Sequence, residues 1–338
     1  MAQLTILMPA FNAALYIVEA VDSLLNQTFK DFELWIIDDG SVDNTRQIME
    51  SFSDSRIKKF YFEQNRGRVL LINEMVKKVT TEFFTVTDAD DISHPQRLQL
   101  QIDLLKKDAD LMMCGTSYAA MDDKGFLFRE LRLLTDYKEV YGQMQSHCQF
   151  LGATTVMRST LITSFPAFYR LYFKDNIADA DLASRIVDCF KAVNLSAPLY
   201  YYRMLKTSLT RKSVTVRSLN LYQAVAFLSA ERRSTGIDSL MKNEPEAVDK
   251  FLIKISKEYD VDPSFVFRHA AFTHLYWKVT DEAWRNAFLA WRTNPFHAKN
   301  YFLLIYIAAK TIAYFLTDRL MATHYKTHFG KPLLLVHE

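Results

Sequence analysis

Three carboxylates stand within four residues at Asp88-Ala89-Asp90-Asp91. Crowded carboxylates repel one another unless a cation neutralises them, and hard oxygen ligands of this kind suit Mg2+ or Mn2+ held jointly with a diphosphate. An isolated D-x-D is more often a solvated turn with a helix-capping acid. Here it follows an apolar run, Phe83 to Thr87, and precedes Pro95 at a helix start, and that position favours metal chemistry. A second acidic stretch, Asp38-Asp39-Gly40-Ser41, ends another apolar run. One of its aspartates can accept the imide N–H of a uracil, although the same residues also make an ordinary turn and helix cap. Asn65-Arg66-Gly67-Arg68 adds donors: an arginine can fork onto a phosphate and the glycine admits close backbone approach. A solvated basic turn is an equal alternative for those four.

The elements that must position these groups follow from hydrophobic spacing. Residues 4 to 8 (LTILM) are a strand ended by Pro9, and Ile17, Val21, Leu24 and Leu25 recur at helical spacing. Phe32 to Ile37 is a second buried strand, followed by a helix through Phe52 that Ser41 or Asp43 can cap. Ile57 to Phe62 and Phe83 to Thr87 are strands three and four, with a helical face at Ile72, Met75, Val76 and Val79 between them. Strands alternating with helices to residue 107 imply a mostly parallel sheet, whose ligands collect outside the carboxyl ends of the strands. Beyond it the spacing predicts two short strands, Leu111 to Gly115 and Tyr118 to Ala120, a turn at Asp122 to Gly125 and a return strand to Leu133. A helix from Tyr137, a strand near Ala153 to Met157, a helix from Asp181 to Phe190 and a strand at Leu199 to Tyr202 complete this part. After residue 215 the chain reads as helical and rich in aromatics, punctuated at Pro245, Pro263 and Pro295.

Composition narrows the function classes. The 338 residues, 49% of them hydrophobic, allow one catalytic domain plus an appendage. The 41 Lys and Arg nearly balance 39 Asp and Glu, so no global field draws the chain to nucleic acid. Cys114, Cys148 and Cys189 form no C-x-x-C pair and read as reduced residues of a cytoplasmic protein. MAQLTILMPAF lacks the basic start and the length of a signal peptide, and Tyr301 to Leu316 is short of a membrane span, which favours a buried or interfacial helix. The eight histidines are scattered; His324 and His328 are four apart without an evident third ligand, and His147 alone lies near a site segment. No G-x-G-x-x-G, Walker loop or G-x-S-x-G is present, which removes the dinucleotide, P-loop and hydrolase readings.

The order of these motifs resembles the family-2 glycosyltransferases, inverting enzymes with the GT-A nucleotide-sugar-binding fold. TILMPAFNAALYIVEAVDSLLNQTFKDFELWIIDDGSVDNT is similar to that family's opening block, Gln64-Asn65-Arg66-Gly67 with Asn73 to its Asn-Arg-Gly turn, and TDADDISHPQRL to its metal-binding D-x-D and trailing Pro-x-Arg-Leu. Gly152-Ala153-Thr154 with Arg158 and Pro198 to Arg203 extend the likeness to about residue 210. The resemblance implies an α/β GT-A fold, a mostly parallel mixed sheet flanked by helices, over residues 1–215, with a helical C-terminal region over 216–338. It implies a nucleotide site of Pro9, Ala10, Phe11, Glu19, Asp39, Asn65, Arg68 and Asp88, with Asp39 on uracil, and Mn2+ or Mg2+ on Asp90 and Asp88. The family's Glu-Asp pair is matched by Ala178-Asp179, which makes Asp179 the expected general base, with Asp175 and Asp181 as close rivals and the glutamate and a following aromatic replaced by Ala178 and Ala180.

The activity implied is transfer of a sugar from a nucleotide-sugar, a UDP-sugar above all, to an acceptor hydroxyl in surface polysaccharide or lipid-linked glycan synthesis. A silent nucleotide-sugar-binding protein is the alternative, and a phospho-acceptor receiver leaves the region near Asp179 unexplained. The evenly spaced Trp277, Trp284 and Trp291 read first as core. With Lys299, Lys310, Arg319 and Lys326 nearby, the last long helix can instead rest on an anionic membrane at the cytoplasmic face, or form a homodimer surface.

Overall fold

The computed structural model describes residues 2–174, 177–205, 215–321 and 323–325. The chain forms two compact units: residues 1–203, joined by the segment from His324, and residues 204–323.

The first unit opens with β1 (Leu4–Ala10), α1 (Ile17–Leu25), β2 (Phe32–Asp39), α2 (Thr45–Ser51), β3 (Ile57–Phe62), α3 (Arg68–Met75) and β4 (Phe83–Val86). These four strands are parallel, β2 and β4 on either side of β1 and β3 beyond β2. Both faces of β1, β2 and β4 are buried, which is why they read as unbroken apolar runs rather than alternating ones. β5 (Ile92–Ser93), α4 (Arg97–Lys107), β6 (Leu111–Met121), β7 (Phe126–Leu131), α5 (Tyr137–Gln143), β8 (Val156–Arg158), α6 (Thr160–Ser164), α7 (Ala178–Cys189) and β9 (Lys191–Arg203) follow. The sheet runs β7-β6-β8-β4-β1-β2-β3, with β8 antiparallel to both neighbours and β9 pairing β6 in parallel and β5 in antiparallel. α1 and α4 pack their apolar faces, Ile17, Val21 and Leu24 with Leu98, Ile102 and Leu105, against the strands in one core.

Several elements differ from the sequence expectation. Leu111 to Ala120 is one strand, not two: the small polar Gly115-Thr116-Ser117 stay in the sheet, buried, with a register shift between Thr116 and Tyr118. β9 starts eight residues before Leu199, and its Pro198 sits opposite that irregularity, where a missing N–H is tolerated. α7 begins at Ala178 rather than Asp181, which puts Asp179 in its first turn. The N-cap position of α2 is Asn44, while Asp43 accepts from Thr45 N and Oγ1.

The second unit is helical: α8 (Val216–Thr235), α9 (Pro245–Val261), α10 (Ser264–Tyr276), α11 (Thr280–Thr293) and α12 (Ala298–Met321). Thr215 and Ser218 cap α8 reciprocally, Pro245 is the first residue of α9, and Pro295 separates α11 from α12. Ala283, Ala287 and Ala290 line one face of α11 and let α10 and α12 approach through Ala271, Leu275, Leu303 and Ile307. Buried Asn300 holds the turn into α12, donating to Ala290 O (3.0 Å) and Asn294 O (2.8 Å) and accepting from Arg268. Among the described residues no helix is long and apolar enough to cross a membrane. A final short strand, β10 (Thr323–His324), lies next to β7.

Candidate active site

The parallel register aligns the carboxyl ends of β1, β2, β3 and β4, so Pro9 to Phe11, Asp39, Asn65 to Arg68 and Asp88 all leave the sheet at one edge. The loops there are tied to each other by polar atoms. Asn12 N donates to Ser41 Oγ (3.0 Å), Val42 N to Asn12 Oδ1 (2.9 Å) and Ala13 N to Thr45 Oγ1 (2.8 Å). Asp39 is buried and accepts from Arg66 N (2.9 Å) and Gly67 N (3.0 Å), so this carboxylate organises the Asn65 to Gly67 turn whatever else it binds. Ala10 is buried and Pro9 half-buried, while the Phe11 ring stands open to solvent at the strand end, where an aromatic base can stack. Asn65 is exposed and its amide oxygen caps Gly67 N.

The three aspartates after β4 have three different environments. Asp88 accepts from Arg68 Nη2 at 2.7 Å. Asp91 points inward: it is buried, Oδ1 accepts from Arg203 N (2.6 Å), and the Tyr200 side chain also favours its ionised form. Burial, then the neighbouring Asp90 and Asp88, push its carboxyl well above the usual range. Asp90 lies between them, and burial together with the Asp88 charge raises it to about 6. Arg203 and Arg68 oppose the rise without cancelling it, as expected of a buried carboxylate beside a like charge. Among the described residues no group of three His, Cys, Asp or Glu could hold a metal alone. Two oxygen-donor carboxylates do fit a Mg2+ or Mn2+ whose remaining ligands are phosphate and water.

Arg68 links this cluster to the expected base. Burial works against its charge, yet Asp88, and with it Tyr169 and Asp179, hold the guanidinium protonated beyond its ordinary range. Asp179 is half-buried in the first turn of α7, between the buried Ala178 and Ala180. Burial raises its carboxyl, Arg68 opposes the rise and Asp88 adds to it. Gly152 approaches so closely that a Cβ there would lie 2.7 Å from both Cβ and Oδ2 of Asp179. Of the rivals, Asp181 is fully buried and committed to Arg185 Nε (2.9 Å) and Arg170 Nη1 (3.4 Å). Arg185 in turn holds the carbonyls of Ala167 and Phe168, so Asp181 is structural. Asp175 lies outside the described residues.

Glu19, expected at the nucleotide, is engaged by Arg203 Nη2 (2.9 Å) and Tyr325 Oη (3.1 Å). Sequence reasoning missed Arg203, Tyr200, Tyr169 and Tyr325 as individual residues. Tyr200 places its hydroxyl 3.3 Å from Thr87 Oγ1 and 3.4 Å from Asp88 N, and Arg97, lowered to about 10 by burial, lies over its ring. The backbone of Tyr169 is locked to Asn73 by two bonds of 2.8 Å. The closing-strand motif covered Tyr200 and Arg203, nothing in the sequence singled out Tyr169, and beside Tyr325 only the His324 and His328 spacing and Lys326 stood out, for a metal and a membrane rather than for the donor edge. His147 is exposed.

Residues 5–171 match the family model described as Glycosyl transferase family 2. The Bacillus subtilis protein EpsE, whose name assigns it to the glycosyltransferases, is 27% identical over 229 residues, which is 66% of this chain and 81% of EpsE. The Escherichia coli UDP-Glc:alpha-D-GlcNAc-diphosphoundecaprenol beta-1,3-glucosyltransferase WfgD is 31% identical over 161 residues, 48% of this chain and 62% of WfgD. Among solved structures, S. aureus TarS 1-349 in complex with UDP superposes with a TM-score of 0.55 at 16% identity, over 98% of this chain and 93% of that one. The mannosyltransferase PcManGT of Pyrobaculum calidifontis, in complex with GDP-Man and Mn2+, gives 0.51 at 16% identity over 94% and 87%. These structural likenesses are likenesses of fold. With the motifs gathered at one sheet edge and the family matched over residues 5–171, those residues are a glycosyl transferase family 2 domain, and the chain is a glycosyltransferase with the GT-A fold.

Proposed function

We propose that the enzyme transfers a sugar, with inversion, from a UDP-sugar to a hydroxyl of a lipid-linked or surface glycan, with Mn2+ or Mg2+ held by Asp90 and Asp88. The observation that carries this reading is the carboxylate cluster at the carboxyl edge of the parallel sheet: Asp88 accepts from Arg68 at 2.7 Å, and the charge of the same guanidinium acts on Asp90 and Asp179. When bound, the cation supplies Lewis-acid stabilisation of the charge that grows on the departing diphosphate. The chain's own residues do the rest. Phe11, with Pro9 and Ala10, offers the stacking wall for the base, and Asp39 retains acceptor capacity beside the two backbone N–H groups it holds. Asn65 borders that wall, and Arg68 supplies a positive charge where the phosphates collect. Asp179 accepts the proton of the acceptor hydroxyl as it attacks. Its raised affinity for a proton makes it a better base than a solvated aspartate, and this compensates for the missing glutamate at Ala178.

The donor assignment draws on the UDP complex of TarS, the cation on the Mn2+ of PcManGT, and the acceptor class on the diphosphoundecaprenol substrate in the name of WfgD. Because PcManGT carries GDP-Man, titrating UDP and GDP in parallel with Mn2+ and with EDTA is the test. Metal-dependent UDP binding supports the reading; binding of GDP alone replaces uracil by guanine.

A lipid-linked acceptor places the enzyme at the cytoplasmic face of a membrane, and α12 supplies a surface for it. One face of α12 is buried through Leu303 and Ile307; the opposite face exposes Tyr301, Phe302, Ile305, Tyr306, Ile312 and Leu316, with Phe302 70% and Ile305 68% exposed. Residues 283–317 contain four Lys or Arg and no Asp or Glu. Lys299 and Lys310, about three helical turns apart, flank the same edge of that stripe. An apolar stripe edged with cations matches an anionic lipid surface, entered side-on. Sedimentation with phosphatidylglycerol-containing vesicles but not with phosphatidylcholine alone is expected. A concentration-dependent dimer that ignores vesicles would assign the stripe to a second copy instead.

A further inference from the structure

The residue that fixes the Asp90-Asp91 loop is Arg203, the last residue of β9. Its side chain is 1% exposed and spreads over three elements. The backbone N donates to Asp91 Oδ1 (2.6 Å), Nε to Asp90 O (2.8 Å), Nη1 to Asp123 O in the β6–β7 turn (3.0 Å) and Nη2 to Glu19 Oε2 on α1 (2.9 Å). The guanidinium also lies 4.6 Å from the centre of the Tyr16 ring. A buried guanidinium needs its counter-charge, and Glu19 is the carboxylate that provides it.

Glu19 is itself held from the far end of the chain. Its other oxygen, Oε1, accepts from Tyr325 Oη at 3.1 Å. Tyr325 is 5% exposed and completes a small apolar cluster with Ile92, Ala119, Met121 and Tyr201, so its ring packs with the residue that follows Asp91. Its N donates to Gly125 O (3.0 Å), and a Cβ on Gly125 would come within 2.8 Å of its ring, so only glycine admits this seat. The same turn, Asp122 to Gly125, thus touches Arg203 on one residue and Tyr325 on another.

We propose that Glu19 and Tyr325 are positioning residues for the Asp90-Asp91 loop, acting through Arg203 and through the cluster around Ile92. This assigns Glu19 to support of the cation loop rather than to the nucleotide, and it makes Tyr325 part of the donor site's scaffold. The inference rests on the reading of Asp90 as a cation ligand for its effect on binding, but not for its effect on the loop.

The test uses the full chain with Tyr325→Phe, Glu19→Gln and the double variant, and two readouts. Amide hydrogen exchange reads the loop without any metal: exchange at residues 90–93 and at Arg203 is expected to accelerate in Tyr325→Phe, with the remaining β1, β2 and β4 amides unchanged. Calorimetric titration of Mn2+ in the presence of UDP is expected to show weakening of roughly 3-fold for Tyr325→Phe and roughly 10-fold or more for Glu19→Gln. The double variant should be no worse than Glu19→Gln, because one chain of contacts is being cut twice. Tyr325→Phe keeps the ring and its packing, so it folds even where Glu19→Gln does not. Unchanged exchange at 90–93 in Tyr325→Phe, or additive losses in the double variant, overturns the proposal. If exchange responds but the parent chain binds UDP without Mn2+, the support role stands and the cation assignment fails.

Discussion

Asp179 and Asp181 lie two residues apart in the first turns of one helix and have opposite fates. Asp181 is fully buried, with each oxygen on an arginine that is itself nearly buried. Asp179 is half-open and makes no ion pair among the described residues, Arg68 acting on it only through its charge, and its carboxyl is raised by burial. The difference is that between a charge spent on holding α7 in place and one left available to a substrate. It also shows why motif spacing alone could not choose between them: both are acidic, both fall in the segment that resembles the family's base, and only their partners differ.

The two aspartates should respond differently to the same substitution. Asp179→Asn is expected to lower transfer by roughly 10² to 10⁴ while donor binding is kept, because only proton acceptance is lost. Steady-state rates together with UDP affinity check this. Asp181→Asn instead leaves Arg170 and Arg185 buried without their carboxylate, a loss of about 3–5 kcal/mol by the usual cost of breaking a buried pair. Thermal or urea unfolding should show it. The stability effects are opposite in sign. Asp179 binds its proton more tightly folded than unfolded, so its ionisation disfavours the fold above the unfolded pKa, and Asp179→Asn should raise the unfolding temperature at neutral pH or leave it unchanged.

Two smaller effects sharpen the contrast. Gly152→Ala forces a methyl group against Asp179 and should cost on the order of 10²-fold in kcat, with donor affinity little changed. Transfer should also fall as pH drops through the raised Asp179 value, that is, at a pH above the ordinary aspartate range of about 4. A kcat–pH profile whose acid limb vanishes in Asp179→Asn identifies the group.

Much of the donor edge was legible in the sequence because each element there announces itself twice. Buried parallel strands read as apolar runs, and the polar residue just past each run is the one at the sheet edge. Asp39, Asn65, Arg68, Asp88 and Asp90 come out of that rule together. Other features were hidden by physics that is not local. β6 was divided because Gly115-Thr116-Ser117 are small and polar, and only the pairing with β9 keeps them in the sheet. Asp91 was indistinguishable from Asp90 until its inward bond to Arg203 was placed. Tyr325 lies 306 positions from Glu19, and no periodicity connects them. In the helical unit, heavy aromatic content suggested core, whereas the residues that stand out there are the ones left uncovered on α12.

In the proposed donor site, Asp88 and Asp90 would hold the cation that a diphosphate needs in order to bind. Calorimetric titration of UDP into the purified chain, with Mn2+ and again with EDTA, tests it most directly, with Asp90→Ala as the third arm. UDP is expected to bind with Mn2+, and binding is expected to be lost in EDTA and in Asp90→Ala while the fold is kept. Equal UDP binding in all three would contradict this.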